Sequence, residues 1–71
     1  MANEFKTARV ISDMTLADAA KASGLSGATY PAHREAKPGK FRLEELRGLY
    51  RQMNRPARKA LLTAVEHEIC R

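Results

Sequence analysis

Residues 15–34 read TLADAAKASGLSGATYPAHR, and this stretch decides how the rest of the chain is arranged. Thr15 stands three residues before Asp18, a spacing at which each side chain reaches the other's exposed amide and starts a helix. Ala17, Ala19, Ala20 and Ala22 then make a helix surface slim enough for a neighbour to lie very close. Gly24 is the stop, because a residue that tolerates positive φ suits a helix end where the chain turns sharply. Leu25 offers an apolar plug, and Ser26 a second N-cap that opens a second short helix. Helix, glycine turn, plug and capped second helix are, in chain order, the parts of a helix-turn-helix.

That second helix carries a conflict. Tyr30 falls where a core residue is expected, and Pro31 follows it directly. Proline fits a first helical turn but removes an amide and crowds the preceding turn once inside. Either the helix starts at Ser26 with Pro31 at the edge of tolerance, or it starts near Pro31 and is shorter.

Upstream, residues 2–12 (ANEFKTARVIS) read as an opening helix capped by Asn3, with Phe5, Ala8 and Ile11, and Val10 beside them, at roughly helical spacing. The β-branched pair Val10 and Ile11 makes a short strand over 8–12 the competing reading. The helix is preferred because a helix-turn-helix needs a third element to cover its back. Downstream, Lys37-Pro38-Gly39-Lys40 is a turn and Phe41 an apolar anchor. Leu43, Leu46, Leu49, Tyr50 and Met53 then predict an amphipathic helix over 42–53, with Glu44 and Glu45 at its start and Arg51 near its end suiting the helix dipole. Asn54 as cap and Pro56 in the first turn open a last helix, carried to about residue 70 by Ala57, Ala60, Leu61, Ala64, Val65, Glu68 and Ile69. The expected fold is all-α, a compact bundle of about five short helices in a single domain over 1–71. The motif lies at about 15–35 and the last helix at about 55–70.

Seventy-one residues is near the lower limit for a core that stands without staples. The single cysteine, Cys70, closes no internal disulfide, which points to a reducing compartment and a core made by packing alone. No apolar run is long enough for a membrane span, and charge from Glu4 onward is unlike a signal peptide, so a cytoplasmic location is expected. The net charge is +5 and the pI about 9.9. Arg34, Lys37, Lys40, Arg42, Arg47, Arg51, Arg55, Arg58 and Lys59 face only Glu35, Glu44 and Glu45 over the same stretch. A basic block over a folded core suggests a polyanionic partner; the plainer reading is a solvated surface that keeps a small protein soluble.

The order of parts resembles the lambda-repressor-like family, the small Cro and C1 repressors of temperate bacteriophages. The matching residues are Thr15, Ala20, Gly24, Leu25, Ser26 and Tyr30, then Lys37-Pro38-Gly39-Lys40-Phe41 leading into Leu43-Glu44-Glu45-Leu46. The resemblance covers about residues 3–53. It implies a homodimer in the bacterial cytoplasm that binds double-stranded DNA at an operator of two half-sites, each copy laying its second motif helix in the major groove. Carried over by position, Ser26, Gly27 and Ala28, then Pro31, Ala32 and Glu35, fall where the family keeps its base-reading side chains. Those positions lack the Gln, Asn or Arg that make bidentate contacts to base edges. Thr29, His33 and Arg34 are the polar neighbours able to read bases, and Ala28, Ala32 and the Thr29 methyl suit thymine methyls. His33 either contacts a base or phosphate or closes the back of the motif. For phosphate, the amides around Lys40, Phe41 and Arg42 would sit at a helix N-terminus flanked by Lys37, Lys40 and Arg42, and Thr15 opens a second such end.

The apolar stripe Leu61, Leu62, Val65 and Ile69 either covers the core or leaves a patch for a second copy. Arg55, Arg58 and Lys59 reach the DNA backbone or are solvated. His67 and Cys70 share a helix face, but two ligands are too few for a metal, and no third group orients a Cys–His pair. The chain is therefore expected not to be an enzyme and to need no cofactor, metal or small-molecule ligand. Two rival readings are an antitoxin-like adaptor that binds a protein and DNA only secondarily, and an architectural DNA binder without base specificity.

Overall fold

A computed structural model describes residues 4–70, and among them the fold is an all-α bundle without strands. Its elements are α1 (Glu4–Ile11), α2 (Leu16–Ser23), a π-helical turn (Pro31–Glu35), a 3₁₀ turn (Pro38–Lys40), α3 (Leu43–Gln52) and α4 (Arg55–Ile69). No helix is long and apolar enough to cross a membrane. The expected cap at Asn3 lies outside the described residues.

Helix rather than strand forms at the N-terminal end, and its inner face is the expected one only in part. Phe5, Ala8 and Arg9 are buried, whereas Val10 and Ile11 are exposed. The helix ends at Asp13, whose φ of 56° is the left-handed conformation that a short polar side chain tolerates. The Met14 amide closes this end on the Arg9 carbonyl at 3.1 Å.

The start of α2 is the reciprocal box anticipated at Thr15 and Asp18. Thr15 Oγ1 accepts from the Asp18 amide, and Asp18 Oδ2 accepts from the Thr15 amide, each at 3.0 Å. Gly24 ends the helix with a φ of 78°, and the Leu25 amide reaches back to the Ala20 carbonyl at 2.8 Å. A side chain at Gly24 would strain this conformation, so the turn depends on glycine there.

Pro31 sits in the first of the two ways the sequence allowed. Ser26 caps, its Oγ accepting from the Thr29 amide at 3.0 Å, and the Tyr30 amide bonds to the Ser26 carbonyl at 3.1 Å. Thr29 and Tyr30 are helical, and the turn then widens: the Ala36 amide bonds to the Pro31 carbonyl, five residues back.

α3 and α4 form where the periodicity placed them, with two corrections to the inner faces. Leu49 in α3 and Met53 at its C-cap are buried, but Leu43 is 73% exposed, Tyr50 also lies outside, and Glu45 takes an interior place. In α4, Ala57, Leu61 and Ala64 are buried while Ile69 is 78% exposed. Asn54 joins two helices: its Oδ1 caps α4 through the Ala57 amide, its amide donates to Ser12 Oγ, and its Nδ2 donates to the Ile11 carbonyl. At the far end of the α1–α4 pair, His67 Nδ1 meets the Glu4 carboxylate at 2.7–2.8 Å on the surface.

The core holds Phe5, Ala8, Ala19, Ala20, Tyr30, Leu49, Met53, Ala57, Leu61 and Ala64. Phe41 covers it, stacked on Phe5 at 5.0 Å between ring centroids and meeting Tyr30 edge-on at 6.0 Å. Five of the ten core residues are alanines, so the helices must approach closely to leave no voids. The tightest crossing is at Gly48, where a Cβ would overlap the backbone carbonyl of Ala22. In an open helix Gly→Ala stabilises by about 1 kcal/mol. Here Gly48→Ala is expected to destabilise by about 2 kcal/mol, because α2 and α3 must move apart. A thermal melt measures the sign directly; a rise in melting temperature would mean the crossing has slack.

Candidate nucleic-acid interface

The second motif helix has an inner side made of three adjoining tasks. Tyr30 is 1% exposed. Its hydroxyl hydrogen-bonds the Glu35 carboxylate, and burial first, then that charge and that bond, push the phenol well above its ordinary pKa. Glu35 also takes a fork from Arg9: Nε to Oε2 at 3.0 Å and Nη2 to Oε1 at 3.3 Å. Arg9 Nη1 donates to the Met14 carbonyl at 2.8 Å, so the same guanidinium holds the α1–α2 link. Arg34, one residue earlier, forks the other way, with Nε on Glu45 Oε1 at 2.7 Å and Nη2 on Oε2 at 3.2 Å. Two adjacent residues thus bolt the motif helix to α1 and to α3. Every buried side-chain nitrogen or oxygen among the described residues has a partner.

These pairs correct part of the sequence reading. Glu35 cannot face a base, because it is buried in the fork with Arg9. Arg34 is half-buried and engaged by Glu45, so its guanidinium is not presented outward. Ser26, Gly27, Ala28, Ala32 and His33 are exposed, and Thr29 is half-buried. Ser26 Oγ, besides capping Thr29, donates to Thr29 Oγ1 at 2.7 Å.

The three amides expected to meet phosphate are used within the chain. Lys40 N bonds to the Lys37 carbonyl, Phe41 N to the Pro38 carbonyl, and Arg42 N to Glu45 Oε1. The half box at Arg42 follows from its residue type: glutamate can return a bond to the cap amide, but arginine has no acceptor to give. Phe41 contributes its ring to the core. The side chains of Lys37, Lys40 and Arg42 remain exposed, as do Arg47, Arg51, Arg55 and Lys59. Thr15 is exposed; its amide is taken by Asp18 Oδ2 and its Oγ1 accepts from the Asp18 amide, which leaves the hydroxyl proton to donate outward. Arg58 does not reach outward. It donates from Nε to the Tyr50 carbonyl and from Nη2 to the Arg51 carbonyl, and lies 4.9 Å over the Tyr50 ring, closing the C-terminus of α3.

The predicted partner stripe on α4 divides. Leu61 is a core residue and unavailable to a partner; Val65 packs against the core; Leu62 and Ile69 are exposed. Ile69 and Leu43 border an apolar groove of about 330 Å³ between the 3₁₀ turn, α3 and α4, floored by Phe5, Phe41, Leu46 and Val65. Among the described residues, no three His, Cys, Asp or Glu side chains gather as a metal site would require.

Compared with protein families, curated proteins and solved structures, the chain matches none.

Sequence reasoning missed Arg9 and Glu45 as interior groups and Gly48 as a contact point. A glycine inside an otherwise regular helix was the available signal for the last.

Two outcomes follow from the forks. Glu35→Gln keeps an acceptor for Tyr30 but leaves Arg9 charged and buried without its counter-charge, and should cost about 3 kcal/mol in urea unfolding. Adding Arg9→Met should recover most of it; simple additivity of the two losses would show that the pair is not coupled. The second outcome concerns acid. Hydrogen bonds from Arg34, and further from the Arg42 amide, hold the Glu45 carboxyl below its ordinary pKa against the opposing effect of burial. A carboxylate depressed in the folded state adds stability above its unfolded value of about 4.3, and that stability is lost as pH falls through the folded value. The melting temperature of the native chain should therefore fall more steeply below pH 4 than that of Glu45→Gln, and parallel acid profiles would contradict this.

Proposed function

We propose that this chain is a sequence-specific DNA-binding regulator of the Cro/C1 kind, a phage or prophage repressor that occupies a two-fold symmetric operator as a homodimer in the bacterial cytoplasm. The observation that carries the reading is the division of the second motif helix. Its inner residues Tyr30, Arg34 and Glu35 are all engaged, while Ser26, Gly27, Ala28, Ala32 and His33 lie outside on a surface of small side chains. Such a surface lets a helix backbone come close to base edges and to thymine methyls in the major groove. Exposed Lys37, Lys40 and Arg42 follow in the chain and suit the phosphates on either side, as the net charge of +5 does. No catalytic activity, cofactor or metal belongs to this reading.

The second reading is the antitoxin-like adaptor, and the apolar groove favours it. Leu43 and Ile69 are exposed beside a groove with an apolar floor, a surface suited to another protein. The same surface suits the second copy that the repressor reading requires.

Selection from a random duplex library at near-physiological salt separates the readings. A repressor recovers an inverted repeat with half-site centres about 34 Å apart and binds it with a steep salt dependence. Binding without enrichment would leave only an architectural role. Absence of binding, with a stoichiometric foreign partner on purification from the host, would establish the adaptor.

A further inference from the structure

We infer that the π-turn sets the reading face of the motif by turning His33 outward, and that His33 is the specificity-determining side chain, donating a hydrogen bond to the major-groove edge of a guanine. The inference rests on the DNA-binding reading above and names the residue that would make it selective.

The geometry begins with Tyr30. In an α-helix, residues three and four beyond a buried residue return to its face. An α-turn after Tyr30 would therefore bring His33 and Arg34 inward and leave Glu35 to one side. The bond from the Ala36 amide to the Pro31 carbonyl, 3.0 Å, closes a wider turn, so that residues four and five beyond Tyr30 return instead. Burial follows that pattern. Glu35 is buried and Arg34 half-buried, and His33 is exposed. Two interactions with different helices hold the widened turn: Glu35 with Arg9 of α1, and Arg34 with Glu45 of α3. Pro31 adds to it by having no amide to give the Gly27 carbonyl, which removes the bond that a regular α-turn would make.

The chemistry of the face then singles out one side chain. Gly27, Ala28, Ala32 and Ala36 carry no hydrogen-bonding side chain, Ser26 spends its proton on Thr29 Oγ1, and Thr29 keeps its own proton but is half-buried. Among the described residues, the His33 imidazole makes no hydrogen bond within the chain, while its backbone carbonyl accepts from Arg34 Nη1. A neutral imidazole offers one N–H donor and one acceptor. Guanine presents N7 and O6 as adjacent acceptors in the major groove, and the alanine on the N-terminal side of His33 leaves room for that approach.

The experiment is duplex-library selection with the native chain, His33→Ala and His33→Gln, with a thermal melt of each. The native chain should enrich an inverted repeat with about a tenfold preference for guanine at one position per half-site. His33→Ala should flatten that position alone, and His33→Gln should move its preference to adenine, with all three melting alike. Identical motifs from all three proteins would overturn the inference and leave the DNA-binding reading standing. A loss of selectivity at every position in His33→Ala would also overturn it, since His33 would then act through general affinity. No enrichment by the native chain would overturn both.

Discussion

The arrangement depends on a carboxylate taken out of water. Glu35 sits on the inner side of the second motif helix, and its charge is tolerable there because Arg9 forks onto it and Tyr30 donates to it. Arg9 in turn spends its remaining arm on the Met14 carbonyl, in the link between α1 and α2. One interior charge therefore fixes three things together: the depth of the motif helix, the position of α1 behind it, and the path of the chain into α2. An apolar trio of similar volume would pack as well, but it would not fix the direction of each side chain so narrowly.

The second fork works differently. Arg34 and Glu45 lie at the edge of the core, and Glu45 also holds the Arg42 amide, so the carboxylate joins the motif helix to the start of α3. Because Arg34 and Glu35 are adjacent in sequence and bind different helices, the motif helix cannot detach from one neighbour without disturbing its hold on the other. Local opening there should be cooperative with much of the domain rather than a fraying event.

What could be read in the sequence was local. Thr15 with Asp18, Gly24, Ser26 and Asn54 with Pro56 each mark a helix boundary through bonds to backbone within a few residues, so each stood where the chain order placed it. The all-α class followed from those boundaries and the periodicity between them. The inner faces were less legible. Ile11 and Leu43 look like core residues by composition, yet Arg9 and Glu45 hold interior places, because pairing removes the penalty that normally keeps charges outside. Arg9 and Glu35 are twenty-six residues apart, and nothing local joins them. The widened turn was hidden for the same reason: it exists because two distant partners draw neighbouring residues inward at once. The amides near Lys40 were misread because the turn that precedes α3 uses them itself.

The outward surface of the motif helix has a further consequence. Gly27, Ala28, Ala32 and Ala36 support nothing beneath them, since the bolts to α1 and α3 leave from the other side. Such positions can be exchanged with little effect on folding beyond helix propensity, a few tenths of a kcal/mol to about 1 kcal/mol each. What folds the domain and what this surface presents are thus separable: new side chains can be set here while the same inner residues keep the chain folded.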